Sequence, residues 1–194
     1  LSLSLERLIN SGERGDRRPR APPPCTAGRA SLGVAAARNR AVRHGDAALV
    51  AFLDHDDEWL PDKLAAQLEA LEQEPDLGYV VGQQQMVLDP GAVRPAWCLP
   101  EWLQTPQKGF LPSTLVVRRG CFEHVGPLEE RFRAGGDDSD WFARARRLGV
   151  PFRHLDRVVM RRRIHGENLS NDRSGSRELL DLVRQHAANR KAQK

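Results

Sequence analysis

The sequence predicts an α/β fold, a mainly parallel sheet flanked by helices, and three observations lead there. Along residues 31–171, apolar runs of strand length alternate with segments of helical period. One run, Ala47–Leu53, has no polar break and stops at Asp54, the pattern of a strand covered on both faces. With 194 residues, 40% hydrophobic and 29% charged, the chain has enough apolar material for one core of ordinary size.

The elements follow in order. Leu3, Leu5, Leu8 and Ile9 have the spacing of a short helix with nothing after it to pack against. Ser11–Arg29 is rich in Arg, Pro and Gly and has no hydrophobic period, so residues 1–30 read as an irregular basic segment. Leu32–Val42 carries small residues at helical spacing and reads as a helix. Ala47–Asp54 is the buried strand. Pro61 then opens a helix whose Leu64, Leu68 and Leu71 share a side and which ends by Pro75. Gly78–Val81 and Gln85–Leu88 read as two short strands, Asp89–Pro112 as a long Pro- and Trp-containing loop, and Ser113–Arg118 as another strand. Asp138–Leu148 is amphipathic, with Trp141, Ala145 and Leu148 on one face and Gly149 as its stop. Phe152–Met160 holds a further strand, Arg161–Asn171 is polar, and Glu178–Gln193 reads as a helix in a C-terminal tail over residues 172–194.

Composition excludes several classes. The longest apolar stretch, Ala47–Leu53, is far below the roughly 20 residues of a membrane-spanning helix. The first ten residues carry charge and no apolar core, unlike a secretory signal. Cys25, Cys98 and Cys121 are scattered and odd in number, which argues against a disulfide scaffold and for a reducing compartment. The net charge is +4, and residues 1–46 hold nine arginines and four acids, so the excess belongs to one end of the chain. That end has no Phe, Tyr or Trp for base stacking, and no nucleic-acid partner is expected.

Chemistry is concentrated in Phe52–Leu64, FLDHDDEWLPDKL. Ligands of open α/β sheets bind beyond the carboxyl ends of strands, and Asp54, Asp56 and Asp57 stand at such an end. Asp54 and Asp56 project to one side of an extended stretch, while His55 points to the other. Two hard oxygen ligands there suit Mg²⁺ or Mn²⁺ and a bound phosphate. The alternative is a polar turn in which Asp57 caps the helix that Pro61 begins.

The same segment carries a resemblance. VAAARNRAV followed by LVAFLDHDDEWLPDKLAAQ resembles the family 2 glycosyltransferases. So do STLVVRRGCFEHVG at Ser113–Gly126, the GGDDSDWFARA segment that starts at Gly135, and RRIHGENLS at Arg162–Ser170, in the family's order. The resemblance implies a GT-A-like, Rossmann-like domain over residues 31–171 and an inverting transfer of a sugar from a UDP-, GDP- or TDP-linked donor to a saccharide or lipid-linked acceptor. It assigns Asp56, with Asp54 and His165, to a Mn²⁺ or Mg²⁺ ion. Arg38, Asn39, Asp54 and Arg162 fall to the donor. Asp138 becomes the general base, with Asp137, where the family commonly has Glu, as the neighbouring choice. Asp140 orients the acceptor or caps its helix. Arg161 and Arg163 are phosphate contacts or simply solvated, and Trp97 and Trp102 are the tryptophans placed to meet an acceptor.

Two family elements have no counterpart in residues 1–30: the usual first buried strand and a second strand ending in Asp-Asp-Gly-Ser. The expectation is therefore an N-terminally truncated domain with weakened donor affinity. The competing readings are a non-catalytic remnant that binds a partner and a phosphohydrolase using a strand-end aspartate. By analogy with the family, the location is cytoplasmic or peripheral at the inner membrane face.

Overall fold

The structure, a computed structural model, describes residues 33–132 and 135–171. The expectations for residues 1–30 and for the helical tail 172–194 lie outside these. Among the described residues there are four helices, α1 (Val34–His44), α2 (Lys63–Gln73), α3 (Arg119–Val125) and α4 (Asp137–Arg147). Six strands accompany them: β1 (Leu49–Ala51), β2 (Asp57–Trp59), β3 (Tyr79–Leu88), β4 (Gln107–Lys108), β5 (Val116–Arg118) and β6 (Phe152–Ile164). No helix among the described residues is long and apolar enough to cross a membrane.

The α/β class and the flanking helices hold, but the sheet is mixed rather than mainly parallel. Its strand order is β1-β5-β3-β6-β2, with β4 also on β3. Among the described residues only β3 and β6 run parallel; the other pairings are antiparallel. The apolar run at Ala47–Asp54 yields just three strand residues at an end of this order, half-buried and paired to β5 alone among the described residues. Its hydrophobicity serves packing beside the sheet: Phe52 enters the core against Phe122, while Leu53 is exposed.

The two short strands expected at Gly78–Val81 and Gln85–Leu88 are one strand. Gly82 does not turn the chain; a Cβ there would lie 2.5 Å from Val159 Cγ1, so the glycine lets β6 cross closely at a register irregularity. Asp57 does not cap α2, because it belongs to β2; Asp62 occupies the N-cap position without a side-chain cap bond. The helix α3, unread in the sequence, lies in the segment taken to follow a strand.

Alternation on the central strands feeds two cores. Tyr79, Val81 and Val117 point to a cluster with Phe122, Trp141, Phe142 and Ala145, between the sheet and α1, α3 and α4. Val80 and Val116 point the other way, to Ala70, Leu71 and Leu77 around α2. Leu148, expected on the buried face of α4, is 46% exposed. A third cluster of Met86, Cys98 and Ile164, with Trp97 and Trp102 against it, holds down the long loop after β3.

Three arginines fix the helices by their carbonyl ends. Arg119 reaches Val42 O of α1, Arg118 reaches Leu71 O of α2, and Arg144 reaches Val125 O of α3, at 2.9, 2.8 and 2.7 Å.

The inner face of α2 is polar in its first half and apolar in its second: Lys63 and Gln67 are fully buried, Ala70 and the expected Leu71 follow them into the core, and Leu64 is exposed. Gln67 Nε2 donates to Val80 O and Thr114 O, tying the helix to β3 and to the turn before β5. Gln67 Oε1 accepts from Lys63 Nζ at 2.6 Å, and the ammonium lies 4.5 Å from the Trp59 ring centre. Burial pulls the Lys63 amine down to about 7. An unfolded lysine keeps its proton to about pH 10.4, so the unfolded chain binds more protons between these values and stability contributed at this site rises with pH there. Lys63→Met is therefore expected to be more stable than the parent at pH 6. That advantage should shrink by up to about 1.4 kcal/mol per pH unit above pH 7. Urea unfolding of both chains at pH 6, 7 and 8.5 measures it; a constant difference contradicts the expectation.

Candidate active site

Between β1 and β2 the chain makes a tight acidic turn, closed by Asp57 N–H donating to Asp54 O at 3.1 Å. On leaving it, β2 pairs with β6, which sets Asp57 opposite Arg162 and Glu58 opposite Arg161. Alternation along β6 separates the three arginines. Arg161 pairs with Glu58 and Arg163 with Asp89, both at the surface. Arg162 turns inward of these, lies over the Trp97 ring at 5.5 Å and donates to Ser170 Oγ.

Helix α1 supplies the link to the second acidic group. Arg38 Nη2 meets Asp54 Oδ1 at 2.5 Å and Nη1 meets Asp137 Oδ2 at 3.1 Å, joining positions 99 residues apart. Asn39, beside it, faces inward: Nδ2 donates to Leu128 O and Glu130 Oε1, and Oδ1 accepts Leu128 N–H. It orients the segment leading into α4 and is 2% exposed.

Gly136 precedes α4 with φ 106, a left-handed conformation that favours glycine, and it lets three aspartates fill the first helical turn. They differ sharply. Asp137 is buried and paired to Arg38; burial and the neighbouring Asp138 raise its carboxyl against that arginine's pull. Asp140 is paired to Arg144 within α4 at 2.7 Å. Asp138 makes no salt bridge among the described residues. Its Oδ1 accepts the Ser139 amide, and burial raises its carboxyl despite the charges of Arg38 and Arg162.

The end of β6 completes the site. His165 Nε2 and Asn168 Nδ2 both approach Asp56 Oδ2, at 3.2 and 3.1 Å. His165 Nδ1 accepts the Glu167 amide, which leaves the ring proton on Nε2 to donate to Asp56. Burial acts to raise the Asp56 carboxyl, but the His165 hydrogen bond and further lowering contacts outweigh it, and the net shift is downward. His55 projects into solvent.

Asp56 and His165 are the pair that could hold a divalent cation: ligand atoms 3.2 Å apart are close to the roughly 2.9 Å edge of an octahedral shell. Among the described residues, no group of three or more His, Cys, Asp or Glu is arranged to hold a metal. Asp54, the third expected ligand, is engaged by Arg38 instead.

Ser113 escaped the sequence reading, in which Asp57 appears as one of three strand-end carboxylates or as a helix cap. Ser113 is fully buried; its Oγ accepts the Asp54 amide at 3.1 Å and its carbonyl accepts Trp59 Nε1 at 2.8 Å. Burial pushes the Asp57 carboxyl up to about 6, against a hydrogen bond from Ser113. Nothing local marks Ser113, which meets Asp54 across 59 positions. Asn168 did carry a signal, as a member of the RRIHGENLS segment.

Residues 26–122, half of the chain, match the family described as Glycosyl transferase family 2. No curated protein matches the chain. The match includes Arg38, Asn39 and the acidic turn and ends before α4.

Proposed function

The chain belongs to glycosyl transferase family 2, and from that premise we propose that it moves a sugar from a nucleoside diphosphate to an acceptor hydroxyl with inversion. The observation that carries the reading is Arg38, which gathers the strand-end Asp54 and the helix-start Asp137 at one place.

Asp138 is the general base. It is the one aspartate of its turn without a salt bridge among the described residues, and its raised carboxyl makes it a stronger proton acceptor. As the acceptor oxygen bonds to the anomeric carbon, its proton passes to Asp138. The bond from that carbon to the diphosphate oxygen breaks at the same time. Charge then develops on the departing diphosphate. Arg162, whose guanidinium lies over the Trp97 ring, meets that charge in this reading. Asp54 and Arg38 face the nucleotide. Asp56 and His165 would hold Mn²⁺ or Mg²⁺, and such an ion would supply Lewis-acid stabilisation of the leaving group. The donor is a UDP-, GDP- or TDP-sugar and the acceptor a saccharide or lipid-linked saccharide, met in the cytoplasm or at the inner face of its membrane.

Calorimetric titration with UDP, GDP and TDP, with and without Mn²⁺, tests this. Metal-dependent binding of one nucleotide is expected, and Asp56→Ala should remove the metal dependence. Binding of none by the folded chain would overturn the proposal.

A further inference from the structure

We propose that Asn168 is a positioning residue of the donor site, which holds the turn that carries His165 against Asp56 and so keeps these two groups together. The inference rests on the glycosyltransferase reading, because that reading gives the Asp56–His165 pair its part in nucleotide binding.

Asn168 uses both ends of its side-chain amide. Oδ1 accepts the His165 backbone N–H at 2.7 Å. Nδ2 donates to Arg163 O and to Asp56 Oδ2, each at 3.1 Å. These partners fix which way the amide points: the N–H requires an acceptor, and the carbonyl and carboxylate require donors. Two of the bonds are local, spanning three and five positions, and close the chain as it leaves β6. The third spans 112 positions and reaches the acidic turn. His165 Nε2 lies 3.2 Å from the same carboxylate oxygen. One side chain thus holds both the main chain of His165 and the carboxylate that its ring meets.

Closing the turn does not by itself call for asparagine. A serine or aspartate oxygen could accept the His165 amide too. Serine is too short to serve Asp56 as well, and aspartate would set a second anion against it. Asparagine is the side chain of that length that offers one acceptor and two donors without charge. It is only 6% exposed, so its bond to Asp56 is made where water competes little and a hydrogen bond to a charged group counts most. A neutral donor behind a carboxylate orients that carboxylate for whatever it binds in front.

The experiment compares the parent chain with Asn168→Ala, Asn168→Ser, Asp56→Ala and the double variant Asp56→Ala with Asn168→Ser. Affinity for UDP, GDP and TDP is measured by calorimetry with and without Mn²⁺, and amide exchange by NMR. Asn168→Ser keeps an acceptor for the His165 N–H, so it carries the test even if Asn168→Ala does not fold. Either substitution is expected to weaken nucleotide binding about tenfold with Mn²⁺ and no more than about twofold without it, the lower end of what groups behind a metal ligand contribute. The amides of Val80 and Val117 should keep their protection. On the Asp56→Ala background, Asn168→Ser should cost nothing further, since it acts through that carboxylate. An unchanged affinity, an equal fall with and without Mn²⁺, a further loss on that background, or lost protection at Val80 and Val117 in Asn168→Ser would overturn this inference alone. A parent chain that binds no nucleotide, or binds one equally with and without Mn²⁺, would overturn the functional reading and this inference with it.

Discussion

Asp138→Asn is expected to lower sugar transfer by about 10²–10⁴-fold, the range that a positioned general base supplies, while nucleotide binding stays within a factor of two or so. The substitution keeps the shape and the Ser139 amide contact but removes the proton acceptor. Its neighbours cannot substitute without disturbing a salt bridge: Asp137 holds Arg38 and Asp140 holds Arg144. Asp137→Asn should behave differently, since releasing Arg38 also disturbs Asp54, and donor affinity should fall with rate. Transfer and calorimetric titration on the two variants separate the roles. Full transfer by Asp138→Asn would move the base to Asp137. Because burial raises Asp138, the acidic limb of the rate profile should lie above the ordinary aspartate value of about 3.9.

Asn39→Ala is expected to unfold more easily by about 2–4 kcal/mol, lowering the melting temperature by roughly 5–15 °C. Three hydrogen bonds disappear, and the buried amide and carbonyl of Leu128 are left without the partner that answered both. The effect on nucleotide affinity, measured well below the melting temperature, should be small. The sequence resemblance assigned Asn39 to the donor, so the two expectations differ: a direct donor contact would weaken binding and leave the melting temperature nearly unchanged. Differential scanning calorimetry beside nucleotide titration decides between them.

Much of this site was legible because its chemistry is local. Asp54, Asp56, Asp137 and Asp138 lie in short acidic runs, and Arg38 and His165 lie in segments whose order follows the family. The fold was legible where periodicity and burial coincide, as in α1, α4 and the central strands. It was misread where apolar character has another purpose. The run at Ala47–Leu53 suggested a central strand, yet it provides a short end strand and a core phenylalanine. On α2 the leucine spacing located Leu71 in the core but misplaced Leu64, because a satisfied Lys63–Gln67 pair lies buried beneath Trp59. The role of Ser113 depends wholly on a long-range contact, and no pattern of neighbours encodes it. Strand direction was inferred from alternation of strands with helices, a rule that the long loop after β3 and the short helix α3 interrupt.

The arginines that grip helix ends have a consequence for how such a chain can drift. Arg118, Arg119 and Arg144 bind main-chain oxygens, at Leu71, Leu77, Val42, Ala47, Val125 and Pro127. A peptide oxygen is the same whatever side chain it carries. Residues at the gripped positions are thus free to change by packing alone, whereas the arginines are not. In a collection of related sequences, Arg118 and Arg119 would stand invariant with no covarying partner, and methods that infer contacts from paired changes would miss the links that hold α1 and α2 in place.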